Sequence, residues 1–219
     1  MEDVIRNLSV WVVPILAAVI LHEIAHGAVA YRLGDPTAAR MGRLTLNPIS
    51  HIDPFGTIAL PLLLIMMKAP FVFGWAKPVP VNFSNLRQPK RDMVLVALAG
   101  PMTNIVLAII SAVVLHAATG VTPTAHAVSA RMSDAMLTPI ALMAQNSVIV
   151  NIVLAVFNLL PILPLDGGRV LAGLLPRAPA LALQRLEPYG MFIVLGLLMT
   201  KTLDRVIGPV VQLFFRALL

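Results

Sequence analysis

The chain contains several long apolar runs, and these constrain its fold more than any other feature. They cover about residues 8–30, 93–116, 138–160 and 189–219, and each is long enough for the roughly 20 residues that a helix needs to cross a bilayer. Unpaired backbone groups are costly in lipid, so a spanning segment must satisfy its own hydrogen bonds. The pattern predicts an all-α polytopic membrane protein, a bundle of roughly four to six membrane helices.

A further apolar stretch, residues 55–75, is interrupted by Pro61, Lys68 and Pro70. We expect it to form a re-entrant hairpin between the first two core spans. Short extended or β segments are predicted on either side of it, because alternating polarity and closely spaced prolines disfavour a helix. These segments are residues 42–47 and 76–82.

The composition supports a membrane class. Of the 219 residues, 58% are hydrophobic and 12% are charged, against about 25% charged in a soluble domain. The net charge is +6, but the basic residues stand singly between apolar runs, which argues against nucleic acid binding and is typical of topology signals. The chain has no cysteine, so His, Asp or Glu must hold any metal. We expect one membrane domain over residues 1–219, with its core at about 8–170 and C-terminal helices at 189–219.

The first apolar run contains the pattern H-E-x-x-H at residues 22–26. On a helix, His22 and His26 share one face about 6 Å apart along the axis, so both imidazoles can bind one metal ion. Glu23 then lies beside that ion, where it can take a proton from water. Ionisable residues inside a span are costly, which favours a functional site over the alternative of a buried polar contact between helices.

Two histidines do not complete a catalytic zinc site, which usually has three protein ligands. The acids in or beside apolar runs are Asp53, Asp92, Asp166 and Asp204. Asp166 stands out because Pro161 and Pro164 precede it, and they would unwind the helix end and turn the carboxylate inward. A plain turn at the membrane surface explains the residue equally well, so both interpretations stay open.

At this point the chain resembles the site-2 proteases, a family of intramembrane zinc metalloproteases. The resemblance rests on the H-E-x-x-H pattern, on Gly100-Pro101-Met102-Thr103-Asn104 and on the block from Asn158 to Gly168. It implies that His22, His26 and Asp166 bind one Zn²⁺ per chain, that Glu23 is the general base, and that Asn158 helps to hold the substrate carbonyl or oxyanion. The implied substrates are transmembrane segments of other proteins in the cell membrane.

This chain departs from the larger members of that family in having no room for a PDZ or nucleotide-sensing domain. Two other functions stay open: a metal ion transporter, and a catalytically inactive scaffold that binds membrane helices. The two predicted extended segments could pair with an unwound substrate as an added strand. The sequence does not indicate the oligomeric state.

Other polar residues receive plainer interpretations. Asn104 is expected to make an interhelical hydrogen bond beside Gly100, and Gly27 to ease close packing. His51 and Asp53 are treated as solvated loop residues and second choices for metal ligation. The remaining two histidines are expected to be loop residues at or beyond a span end, namely His116 and His126.

The position of the ligands gives a test of topology. Both ligand sets lie near the C-terminal ends of their spans, so those spans must run in the same direction, as they do if residues 55–75 enter and leave on one side. The positive-inside rule agrees, and it predicts a metal nearer the cytoplasm. The hairpin places on that side Arg32, Arg40, Arg43, Lys77, Arg87, Lys90, Arg91, Arg169, Arg177 and Arg185.

Overall fold

The computed structural model describes residues 2–69, 74–119 and 130–219, with side chains described at 9–69, 74–118 and 138–219. Its described part is predominantly helical and contains no β-strand. The α-helices are α1 (Glu2–Arg32), α2 (Thr37–Arg40), α3 (Leu60–Met66), α4 (Pro89–Thr119), α5 (Ala130–Asn158), α6 (Asp166–Leu174), α7 (Arg177–Gln184), α8 (Glu187–Met199) and α9 (Thr202–Leu218).

Three helices are long and apolar enough to cross a membrane, and they confirm three of the predicted spans. These segments are Ser9–Arg32 in α1, Pro89–Ala118 in α4 and Thr138–Asn158 in α5. They pack against one another around small buried residues such as Ala18 and Ala108, which let helix backbones approach closely. Large apolar side chains cover the outside instead, as expected of a surface that faces lipid.

The stretch after residue 53 is a short helical excursion. A π-helix at Pro54–Ala59 continues into α3, and together they rise about 20 Å, less than the roughly 30 Å hydrocarbon core. The chain then comes back to its starting point, since the Trp75 N–H donates to the Gly56 carbonyl oxygen at 3.1 Å. The Thr57 hydroxyl donates in turn to the Trp75 carbonyl oxygen at 2.8 Å.

The expectation of β segments at 42–47 and 76–82 was wrong for the hydrogen-bonded form, because neither segment is a strand. Residues 76–82 form no helix, and their N–H groups donate to separate partners rather than to one neighbouring strand. The Lys77 N–H donates to the His51 carbonyl oxygen at 2.9 Å, and the Val79 N–H donates to Glu23. Two prolines in the segment have no N–H at all, so a continuous ladder cannot form.

A buried carboxylate ties this segment to the end of α1. Asp35 accepts hydrogen bonds from the Asn82 N–H at 2.7 Å, from the Asn85 amide at 2.9 Å and from Thr37. Burial opposes ionisation of Asp35, but these hydrogen bonds outweigh it and lower the pKa of the carboxyl below its usual value. Hydrogen bonds at Lys77 and Asn82 therefore fix both ends of the segment.

The C-terminal apolar stretch is two helices rather than one. Lys201 has a left-handed φ of 54° and separates α8 from α9. Val211 of α9 packs against Ala108 and Ile152, so α9 belongs to the core of the bundle. A 65° bend separates α7 from α8, which together form a candidate broken span.

Candidate metal centre

Three side chains from two helices converge inside the bundle. His22 and His26 lie one turn apart on α1, and their Nε2 atoms are 3.0 Å from each other. The Oδ2 atom of Asp166, the first residue of α6, is 3.2 Å from Nε2 of His22 and 3.3 Å from Nε2 of His26. Among the described His, Asp, Glu and Cys residues, these three form the group that could hold a metal ion.

Two glycines after Asp166 allow its position. A Cβ on Gly168 would lie 2.8 Å from the Ile162 carbonyl oxygen, and a Cβ on Gly167 would overlap the Leu159 carbonyl group. Side chains at either position would push α6 away from the turn that follows α5. The chain can therefore fold back within a few residues of Asn158 and aim Asp166 at α1.

The second ring nitrogen of each histidine contacts an oxygen that can only accept. Nδ1 of His26 is 2.7 Å from the Val96 carbonyl oxygen, and Nδ1 of His22 is 2.6 Å from Oδ1 of Asn104. Each Nδ1 must therefore carry the proton and donate it. In the neutral rings, Nε2 is then a bare lone pair on both histidines.

This arrangement leaves three acceptors facing one another with no donor between them. Oδ2 of Asp166 is buried and has no hydrogen-bond partner. A metal cation at their centre would relieve the mutual repulsion of the three atoms. Tetrahedral ligands about 2.0–2.1 Å from a Zn²⁺ ion lie about 3.3 Å apart, close to the separations observed, so two imidazole nitrogens and a carboxylate oxygen fit zinc.

Gly100 lets α4 pass directly against this group. A Cβ at position 100 would lie 2.6 Å from Nε2 of His22 and even closer to Nε2 of His26. Any side chain there would crowd the Nε2 atoms of both rings. The sequence indicated Gly100 only as a small neighbour of Asn104, and this function was missed because the contact is between helices.

Glu23 follows His22 in sequence but lies outside the group of His22, His26 and Asp166. Its Oε2 atom accepts the Val79 N–H at 2.7 Å. Pro78 and Pro80 flank that residue, so the Val79 N–H is the sole donor that the tripeptide has. A main-chain group thus fixes one oxygen of the carboxylate.

His22, His26 and Asp166 open into a cavity of about 760 Å³, within the range of sites that enclose small molecules. Glu23, Trp75 and Val79 contribute to its wall, which is mostly apolar. Asn158 also lines it, but its Nδ2 atom donates to the Leu154 carbonyl oxygen of its own helix at 3.0 Å. The structure therefore brings Asn158 to the cavity, and its catalytic role stays a prediction.

Comparison with known proteins agrees with this geometry. The family model described as Peptidase family M50 matches residues 10–200. The chain belongs to peptidase family M50. This result confirms the resemblance to the site-2 proteases, which the sequence motifs indicated.

Relatives of this M50 chain carry the name "Putative zinc metalloprotease". YwhC of Bacillus subtilis is 38% identical over 201 residues, which is 92% of this chain and 85% of the relative. Rip2 of Mycolicibacterium smegmatis is 32% identical over 219 residues, or 97% of this chain and 78% of the relative. Rip2 of Mycobacterium tuberculosis is 30% identical over 189 residues, covering 86% of this chain and 66% of the relative. No solved structure shows a significant match.

Two polar loop residues of the M50 domain were expected to be solvated, and one of them is buried. His51 is 3% exposed, and its Nε2 atom lies 2.8 Å from the Thr45 carbonyl oxygen, so it was wrong to treat it as solvated. Asp53 caps the π-helix by accepting the Phe55 and Gly56 N–H groups. Neither residue joins the metal ligands.

The other minor predictions have mixed outcomes. Asn104 does make interhelical hydrogen bonds, as expected, and a Cβ on Gly27 would lie 2.8 Å from a Val79 methyl group. His116 was wrongly expected in a loop, because it lies in the last turn of α4 and its Nδ1 atom is 2.7 Å from the Ala112 carbonyl oxygen. His126 lies outside the described residues.

Proposed function

We propose that this M50 zinc metallopeptidase hydrolyses peptide bonds in or near the transmembrane segments of other membrane proteins, with one zinc ion per chain held by His22, His26 and Asp166. The observation that carries the proposal is the convergence of three buried acceptors on one point, beside an acid that is not a ligand. That acid, Glu23, is available as a base because the metal does not require it.

The reaction divides among few residues. Bound zinc would supply Lewis acidity, which polarises a carbonyl and lowers the pKa of water to about 7. In our assignment, Glu23 takes the proton of the attacking water and returns it to the leaving amine. The Val79 N–H holds Oε2 of Glu23 and leaves Oε1 for that transfer. Asn158 donates to the developing oxyanion through the second Nδ2 hydrogen, since the Leu154 carbonyl oxygen takes the first.

We place the site in the half of the bilayer nearer the cytoplasm and treat residues 55–75 as a re-entrant hairpin. The hydrogen bond between Trp75 and Gly56 supports the hairpin, because it joins the two ends of this segment. Asp166 follows the C-terminal end of α5, and His26 lies near the C-terminal end of α1. Parallel α1 and α5 therefore put both ligand sets at similar depth, on the side that carries most of the basic residues.

The substrate must present an unwound segment, because a helix hides its amides in hydrogen bonds. The hydrogen bonds of residues 76–82 limit how that segment can be held. Lys77, Val79 and Asn82 already donate their N–H groups within the protein, and two prolines have none. Pairing along this segment, as suggested by its extended pattern, would depend mainly on its carbonyl oxygens. Much of the binding surface is then the apolar cavity wall.

A direct experiment compares cleavage with ion flux. Purified protein in liposomes, with zinc removed and then restored, should cleave a co-reconstituted membrane peptide only in the zinc-loaded state and should carry no zinc across the bilayer. Flux without cleavage would establish the transporter, and zinc binding with neither activity would establish the inactive scaffold. The convergence of the ligands from α1 and α6 on a single point supports the peptidase, since a transit path needs successive sites.

A further inference from the structure

A line of buried polar side chains runs from the metal centre across three helices. Asn104 of α4 is 0% exposed and Asn151 of α5 is 1% exposed. Oδ1 of Asn104 lies 2.6 Å from Nδ1 of His22, and Nδ2 of Asn104 donates to Oδ1 of Asn151 at 2.7 Å. Asn151 has no part in the metal site or the reaction proposed above.

Each amide in this line has a fixed orientation. Nδ2 of Asn151 donates to the Ser147 carbonyl oxygen at 2.8 Å and to its hydroxyl at 3.1 Å, which directs Oδ1 of Asn151 toward α4. That oxygen and the Ala18 carbonyl, at 3.2 Å, take both hydrogens of Nδ2 of Asn104. Oδ1 of Asn104 is thereby left facing His22 as an acceptor.

A reversed Asn104 amide would have the opposite effect on the histidine. An NH₂ group facing Nδ1 of His22 would require that nitrogen to accept, and the proton of the neutral ring would then lie on Nε2. A protonated Nε2 cannot bind a metal ion. The orientation of Asn104 thus decides whether His22 can be a ligand.

We propose that Asn151 is a positioning residue for the zinc site: by fixing the Asn104 amide, it sets the tautomer of His22 and with it the affinity for zinc. This inference rests on the proposed zinc site but not on proteolysis. Groups that orient a ligand in this way typically change metal affinity about 10- to 100-fold when they are removed. The hydrogen bonds that join His22, Asn104 and Asn151 also couple zinc binding to the packing of α1, α4 and α5.

The first test measures zinc affinity by competition with a chelator in detergent. Asn151→Leu should weaken zinc binding about 10- to 100-fold. Asn151→Asp should stay near the wild-type affinity, because a buried neutral acid accepts from Asn104 and donates to the Ser147 carbonyl oxygen. Asn146→Leu is the matched control. Asn146 is also buried in α5, and it donates to the Val10 carbonyl oxygen of α1 at 2.9 Å, away from His22, Asn104 and Asn151. Equal losses in the Asn151→Leu and Asn146→Leu variants, or none in Asn151→Leu, would overturn the proposal.

The second test needs no folded variant at position 151. The ¹⁵N shifts of labelled histidine in zinc-free protein report the tautomer directly, at about pH 9, above the usual histidine pKa of about 6.5. His22, assigned from the His22→Gln spectrum, should be protonated at Nδ1. Protonation at Nε2 in the wild-type protein would overturn the proposal. A chain that binds zinc but cleaves nothing would refute the proposed function alone, because the two tests measure zinc affinity and the His22 tautomer and do not depend on cleavage.

Discussion

Replacing Gly100 by Ala should close the metal centre while leaving most of the fold in place. The added Cβ would lie 2.6 Å from Nε2 of His22, whereas ordinary van der Waals contact begins at 3.4 Å, so the ring and α4 must separate by at least 0.8 Å. The Nδ1 atom of His22 is hydrogen-bonded to Asn104 and that of His26 to the Val96 carbonyl oxygen, so neither ring can turn away freely.

The magnitude follows from comparing this shift with what a zinc site tolerates. Ligand distances in metal sites vary by about 0.2 Å, so a displacement of about 0.8 Å should remove most of the zinc affinity. Overpacking of this kind costs about 1–3 kcal/mol of stability, partly offset by the roughly 1 kcal/mol by which Ala favours a helix over Gly. The variant should therefore fold and remain nearly free of zinc.

The assay is zinc content per chain after dialysis against a weak chelator, measured beside thermal unfolding in detergent. Gly196→Ala is the matched control, because Gly196 lies inside α8 and a Cβ there meets nothing within 4 Å. It should keep the wild-type zinc content and unfold at the same or a slightly higher temperature, because Ala favours a helix over Gly. A Gly100→Ala protein that retains full zinc occupancy would refute the close approach of α4 to the ligands.

Three further predictions concern the reaction and the topology. Asn158→Ala should lower kcat by about a hundred- to a thousandfold at unchanged zinc content and thermal stability, whereas near-normal turnover with lost stability would mean a packing role. Val79→Pro removes the N–H that holds Glu23 and should lower kcat by about a hundredfold, while Val79→Ala keeps it; equal turnover in the two variants would contradict the positioning of the base. Single cysteines at Arg40, Lys77 and Arg87 should resist labelling from outside intact cells, and external labelling at residue 87 would exclude the re-entrant hairpin.

The membrane spans and the pairing of His22 with His26 were predictable because each has a local signal. A helix that crosses a bilayer needs a continuous apolar run, and the runs are visible directly in the sequence. His22 and His26 lie one turn apart on one helix, so their spacing fixes their geometry before the rest of the fold is known. Asp166 is distant in the chain, and only the family resemblance implied its place beside the two histidines.

The parts that the sequence could not provide depend on contacts between helices. Asn104 was correctly expected to bond across helices, but its partners, His22 and Asn151, follow from the packing of three helices. The Val79 N–H is a main-chain group, and no side-chain pattern marks it as the partner of Glu23. His51 was misjudged because polarity does not show that a short loop folds under residues 76–82, whose Lys77 N–H binds its carbonyl oxygen.

We assign His22, His26 and Asp166 as the ligands of a catalytic zinc ion and Glu23 as the base. Zinc content and cleavage of a membrane peptide, measured on the same purified samples, test this most directly. Glu23→Gln should keep the zinc and lose cleavage, Asp166→Ala should lose both, and Asp53→Ala, which removes only a helix cap, should keep both. Cleavage by the Glu23→Gln protein, or a zinc site emptied by Asp53→Ala and not by Asp166→Ala, would contradict the account.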